Sequence, residues 1–206
     1  MNLYDRFVLP TLINAACGCA PIARQRQKVV PLARGVVLEL GFGSGLNLSH
    51  YDAFKVQKLY ALEPEEGMLK LARRAVRTAP FEVELLTETA ERASLPAESV
   101  DTVLVTYALC TIPDAVTALR AARAALKPDG RLIFCEHGLA PDEGVRRWQR
   151  RIEPVWRRIA GGCHLARDIP AMIKSAGFAL ESLDTMYLPR APKWAGYNYW
   201  GAARAV

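Results

Sequence analysis

The chain contains no C-x-x-C pair, no apolar run of bilayer-spanning length, no internal repeat, no low-complexity tract and no linker. Its five cysteines, Cys17, Cys19, Cys110, Cys135 and Cys163, are odd in number, and two of them sit in apolar strand-like context, so a disulfide framework is not expected. Neither Cys17-x-Cys19 nor the adjacent Cys163 and His164 has the spacing of a zinc motif, and no metal site is read from the sequence. The apolar stretch from Phe7 to Ala16 is interrupted by Pro10, follows Asp5 and Arg6, and is too short to cross a membrane. These absences predict a cytoplasmic protein in a reducing environment. They also predict one domain over 1–206, with N-terminal lid helices at 1–33, a core at 34–137, and substrate-side helices and closing strands at 138–206.

Nucleic-acid signatures are missing as well. There is no D/N-P-P-Y segment for methylating base amino groups and no recognised binding motif, despite a net charge of +6 and a sequence pI of 9.2. Much of the positive excess sits in one stretch, Arg146, Arg147, Arg150, Arg151, Arg157 and Arg158. That stretch reads as an amphipathic helix over Asp142 to Ile159 that packs through Trp148, Ile152, Val155, Trp156 and Ile159. Peripheral contact with an anionic lipid surface stays open, as does a lid formed with Leu3 to Ile13 over an apolar substrate.

With 51% apolar and 23% charged residues, the chain has ordinary globular composition and enough material for one sizeable core. Apolar β-type runs at Val36–Leu40, Leu59–Leu62, Val83–Leu86, Val100–Thr106 and Arg131–His137 alternate with helical patterns at Glu65–Arg77 and Ala115–Leu126. Such alternation predicts a doubly wound α/β fold, a mostly parallel seven-stranded sheet with helices on both faces. Lys127-Pro128-Asp129-Gly130 is a stop-and-turn signal. A short helix from Asp168 to Ser175 ends at Gly177, and strands near Phe178–Leu183 and Tyr197–Ala203 would close the sheet. Leu3–Ala16 and Ile22–Val30 read as two helices outside it.

The sharpest feature is Val37-Leu38-Glu39-Leu40-Gly41-Phe42-Gly43-Ser44-Gly45, an apolar strand running into three alternating glycines, with a helix expected from Leu46. Glycines there let the backbone turn tightly and let a ligand approach where a Cβ would clash. A dinucleotide loop needs G-x-G-x-x-G, but here the third glycine follows after one residue. A P-loop needs a lysine at its end, and none follows Gly45. Glu63 ends the next strand, where an acid can take both ribose hydroxyls of a nucleoside.

Together, Glu39-x-Gly41-x-Gly43-x-Gly45, Glu63, Thr89-Ala90-Glu91 and Ser99-Val100-Asp101 resemble the class I S-adenosylmethionine-dependent methyltransferases. The resemblance implies S-adenosylmethionine as cofactor. It would place Gly41 and Gly43 at the methionine part, Glu63 at the ribose, Met68 at the adenine face and Thr89, Ala90 and Glu91 at the adenine edge, with Thr89 standing where many members carry aspartate. Glu39, Gly45, Asn47, Pro64, Thr106 and Tyr107 complete the implied cofactor set. Further motifs, Leu109-Cys110-Thr111-Ile112, Glu136-His137, Glu153-Pro154-x-Trp156 and Gly162-Cys163-x-Leu165-x-Arg167, resemble the methyltransferase-like subgroup that includes alkyl-thiol S-methyltransferases.

Methyl transfer from a sulfonium is an in-line displacement that needs alignment and exclusion of water more than a covalent residue. A thiol acceptor, with a reference pKa of ~8.5, is mostly protonated at neutral pH. His137, at the end of a predicted strand, is placed to act as its base, and Cys163 with His164 form a second candidate pair. The expected activity is methyl transfer to a small apolar acceptor such as a thiol. The alternatives are a phospholipid amine or quinone ring at a membrane surface, and a non-catalytic module that keeps the cofactor fold.

Overall fold

The computed structural model describes residues 9–206. The expected helix at Leu3–Ala16 therefore begins outside the described residues; within them, α1 covers Leu9–Cys17 and α2 Ala20–Val29. Seven strands follow: β1 Gly35–Leu40, β2 Val56–Leu62, β3 Glu82–Leu86, β4 Val100–Thr106, β5 Leu126–His137, β6 Phe178–Tyr187 and β7 Tyr197–Ala205. The connecting helices are α3 Glu66–Val76, α4 Ala115–Ala125, α5 Glu143–Ile159, α6 Ile169–Ser175 and the single turn α7 Lys193–Gly196. Among the described residues no helix is long and apolar enough to cross a membrane.

One sheet takes all seven strands in the order β3-β2-β1-β4-β5-β7-β6. Pairing from β3 through β5 is parallel, and β7 lies antiparallel between β5 and β6. Alternate residues of the central strands feed opposite faces, as the pleat requires. Leu38, Val103, Leu132 and Phe134 pack with α4 and α6, while Val37, Leu104, Ile133 and Cys135 pack with Val29 of α2 and Ala72 of α3. With both faces covered, the inner strands are continuous apolar runs, which is why the sequence marked them well. The chain leaves β1 in one direction and returns to β4 on its other side. The crevice between their C-terminal ends is thus the topological switch point where open α/β sheets bind ligands.

Two expectations are corrected. No α-helix follows the glycine loop; Leu48–His50 forms only a short 3-10 turn before β2 begins at Val56. Asn47, where that helix would start, turns its side chain inward to Glu39 and Thr106 instead of capping a helix. On α5, the packed side is not the one expected. Trp148, Val155 and Ile159 are 59%, 62% and 53% exposed, and the inward face carries Gln149, with Ile152 and Trp156 partly covered. The amphipathic reading misplaced the face because the helix docks through a polar residue.

Gln149 is 1% exposed and acts as a knot between segments. Its Oε1 accepts the Ala140 amide at 3.0 Å, and its Nε2 faces the carbonyls of Gly138 and Leu165 at 3.0 Å and Trp194 at 3.1 Å. Gln149→Leu would leave those backbone groups buried without partners, each costing about 1–3 kcal/mol. The expected result is a fall of about 10 °C in the thermal midpoint; a change within about 2 °C would show that the knot is dispensable.

Candidate active site

The loop after β1 carries positive φ at Gly41, Gly43 and Gly45. A Cβ on Gly41 would lie 2.5 Å from the Cβ of Ala108, so that glycine lets the β1 and β4 loops touch. A Cβ on Gly43 would meet nothing within 4 Å. This second glycine borders open space, as a ligand contact requires. Its amide donates to Glu63 Oε2 at 2.7 Å, and the Glu65 amide donates to Glu63 Oε1 at 2.9 Å, fixing the carboxylate at the end of β2. Burial raises the Glu63 pKa against those two bonds.

Gly41, Gly43, Met68, Thr106 and Tyr107 line a cavity of about 70 Å³ here, closed on the outer side by Ile13, Asn14 and Cys17 of α1. Ser44 Oγ donates to Asn14 Oδ1 and pins α1 over the glycine loop. A larger cavity of about 630 Å³ lies at the opposite edge, among Arg34, Lys55, Asp101 and Lys127. It opens at the N-terminal ends of the strands, away from the switch point.

Behind the loop lies a buried polar network. Glu39 accepts the Tyr51 hydroxyl at 2.6 Å and Asn47 Nδ2 at 2.8 Å, while Arg26 Nη1 donates to Asn47 Oδ1 at 2.7 Å and Thr106 Oγ1 at 2.6 Å. Burial raises the Glu39 pKa to about 7, opposed by the bonds from Tyr51 and Asn47 and by the Arg26 charge. Arg26 Nε is buried without a partner in a residue that also lines the cavity.

On the β4 side, Tyr107 adopts a φ of 55°, and its hydroxyl donates to Asn198 on β7. The next two amides, of Ala108 and Leu109, donate to Glu136 Oε1 at 2.7 and 3.0 Å. Burial raises the Glu136 pKa to about 7 against these two bonds. His137 Nε2 lies 3.3 Å from Cys163 Sγ. Burial works against protonating His137, but the bond to Cys163 and the charges of Cys163 and Glu136 outweigh it and raise the pKa. The second candidate pair is separated: His164 turns away and bonds Glu153 at 2.9 Å.

Gly41, Gly43, Met68, Thr106 and Tyr107 thus reach the cavity, with Glu63 bonded to its Gly43 wall, and Glu39 and Asn47 support it from behind. Gly45 packs against Phe42 and Leu48. Pro64 and Thr89 are exposed, Ala90 packs into the core, and Glu91 accepts the Asp114 amide at 3.2 Å. Sequence reasoning expected N-terminal lid helices, and Ile13, Asn14 and Cys17 of α1 do line the cavity, but it missed Arg26 and Tyr51. Neither sits in a motif, and only the three-dimensional packing brings them to the crevice.

The topology and the glycine loop at its switch point are those of the class I methyltransferase fold. Residues 38–134 match the family described as "Methyltransferase domain". The chain is 30% identical over 162 residues to thiol S-methyltransferase TMT1B of Rattus norvegicus, covering 77% of this chain and 65% of that protein. The chain thus spans just under two thirds of that relative's length. A SAM-dependent methyltransferase from Leishmania major superposes with a TM-score of 0.71 at 17% identity, over 98% of this chain and 80% of that one. The [4+2]-cyclase SpnF also reaches 0.71, at 16% identity, over 98% and 93% of the two chains. Residues 38–134 carry a methyltransferase domain, the fold is that of the class I S-adenosylmethionine-dependent methyltransferases, and S-adenosylmethionine is the cofactor of that class.

The residues fit that cofactor: Gly43 borders free space, the buried acid Glu63 stands at the strand end, and Arg26, a cation with a buried unpartnered Nε, is among the cavity's lining residues. Gly43→Val leaves the core intact but fills that space in a backbone conformation unfavourable to valine. Calorimetry with S-adenosylhomocysteine should show binding lost; retained affinity would move the ligand elsewhere. For Glu39, a folded pKa of about 7 above the ordinary 4.5 means the folded state holds the proton more tightly. Stability therefore falls by about 3 kcal/mol as pH rises from 4.5 to 7. Glu39→Gln should flatten that part of the melting profile, and an unchanged slope would assign it to other groups.

Proposed function

We propose that the protein transfers the methyl group of S-adenosylmethionine to the sulfur of a small apolar thiol. The observation that carries the methyl-transfer part is the free space at Gly43 beside Glu63. Support for a thiol acceptor comes from the relative named as a thiol S-methyltransferase and from the placement of His137 beside two cysteine side chains at the C-terminal edge of the sheet.

The cofactor supplies, when bound, a methyl group on a sulfonium. The chain's own residues would hold and orient it. Gly41 and Gly43 would leave room for the methionine part, the Arg26 charge at the cavity would attract its carboxylate, Glu63 would take the ribose hydroxyls, and Met68 would pack on the adenine. An acceptor thiolate would then use its electron pair to form the new carbon–sulfur bond, releasing S-adenosylhomocysteine and a thioether. His137 serves the acceptor side. A cavity of about 70 Å³ is far below the roughly 300 Å³ or more that small-molecule sites need, so admitting both partners would require its walls, α1 among them, to move.

Mass spectrometry of S-adenosylhomocysteine formation, with small alkyl thiols run beside amines, phenols and a no-acceptor control, tests the reading. Thiol-dependent product is expected; turnover with amines or phenols alone would replace the acceptor class. Glu63→Ala should weaken S-adenosylhomocysteine binding by about tenfold or more, as loss of a charged hydrogen bond does. His137→Ala should lower turnover and leave that binding unchanged. Equal loss of affinity in both would undo the division of roles.

A further inference from the structure

Beside the donor cavity, three soft ligand groups from different parts of the chain meet. Cys110 Sγ, His137 Nε2 and Cys163 Sγ lie within 4.8 Å of one another, with Cys163 Sγ 3.3 Å from His137 Nε2. Around a tetrahedral zinc of ordinary bond lengths, sulfur and nitrogen ligands stand about 3.5 Å apart and two sulfurs about 3.8 Å apart. Small side-chain adjustments close the difference.

The three groups are held in place by the protein itself. His137 ends β5 and is paired in register with Asn198 of β7. The segment carrying Cys110 is gripped by Arg167, whose guanidinium donates to the carbonyls of Leu109 and Ile112. The segment carrying Cys163 is tied to α5 by Glu153, which accepts the amides of Leu165 at 3.1 Å and Ala166 at 2.9 Å and bonds His164. The two cysteine segments are joined directly, the His164 amide donating to the Cys110 carbonyl at 2.8 Å. Such support behind first-line ligands distinguishes a built site from chance proximity.

We propose that Cys110, His137 and Cys163 bind a zinc-class divalent ion, leaving its fourth coordination position for the sulfur of the acceptor. Two thiolates and an imidazole suit zinc by ligand softness, and a three-ligand site is the catalytic rather than the structural form. The segment carrying Cys163 packs against α1, a Cβ on Gly161 meeting Leu9 at 3.2 Å and Ile13 at 3.3 Å, and α1 in turn lines the donor cavity through Ile13, Asn14 and Cys17. The fourth position would open toward that cavity, from which a methyl group would come. An acceptor thiol binding there gives its proton to water and stays as a thiolate at neutral pH, because a coordinating thiol is deprotonated outright. His137 is then a ligand rather than a base. The metal site stands on geometry alone; the role of the fourth position rests on the thiol reading.

The test uses the full chain, stripped of metal and titrated with cobalt(II). Intense visible bands of tetrahedral cobalt with thiolate charge transfer are expected at one equivalent, and zinc should displace them. Cys110→Ser and Cys163→Ser should weaken cobalt binding by more than about 100-fold, with unchanged S-adenosylhomocysteine affinity showing that each variant is folded. Cys17→Ser should keep the bands. Adding a small alkyl thiol should shift them, and removing the metal should abolish thiol methylation. Absence of the bands, or a native Cys110–Cys163 disulfide in the intact mass, would overturn the site. Loss of the bands in Cys17→Ser would make it a closed structural centre and overturn the open position. Full thiol methylation by metal-free protein would overturn the metal's role while sustaining the thiol reading. Cobalt bands that respond to thiol, without thioether product, would sustain the site and sink that reading.

Discussion

The carboxylate of Glu136, wholly buried at the end of β5, accepts the amides of Ala108 and Leu109 and so bends the chain as it leaves β4. Both halves of the site follow from that bend. It sets Ala108 against Gly41, where the contact is close enough to exclude a side chain on the glycine. It turns Tyr107 toward β7 and brings Cys110 over the sheet edge to His137 and Cys163. A single residue between the donor crevice and the cysteine-histidine cluster thereby couples their positions. Because two backbone amides converge on one oxygen, an amide or hydroxyl in its place would hold the turn less firmly.

Electrostatics divide the crevice into two functions. Glu39 and Glu136 are both buried deeply enough to raise their pKa values to about 7, and each is restrained by directed hydrogen bonds. They build the walls. Glu63 accepts backbone amides, from Gly43 of the glycine loop it faces and from Glu65 on its own segment, and stands where a nucleoside would be read. Arg26 counterbalances the buried acids and is itself among the residues that line the cavity. The SpnF superposition is a reminder that this architecture hosts more than one chemistry and that the acceptor is decided by side chains on top of it.

Much of this was legible in the residues. The inner parallel strands were visible because strands buried on both faces are written as near-continuous apolar runs, and β4 was marked to the residue at Val100–Thr106. The alternating glycines and Glu63 marked the crevice at the switch point because a backbone turn with positive φ leaves little choice of residue. The helix after the loop and the packed face of α5 were misread for a shared reason. Asn47 and Gln149 spend their side chains on partners far away in sequence, and no local pattern records such bonds.

By itself, then, the sequence determined the sheet, its switch point and the class of ligand, since these rest on periodicity and on spacing within one β-loop-β unit. The tertiary structure decided how that crevice is closed and armed. It laid α1 across the glycine loop, drew Arg26 and Tyr51 behind it, and gathered Cys110 from the connection after β4, His137 from the end of β5 and Cys163 from the loop between α5 and α6. The physical reason is that a parallel sheet delivers every connection after a strand to the same edge. Residues remote in the chain become neighbours there through packing, which leaves no mark on local spacing.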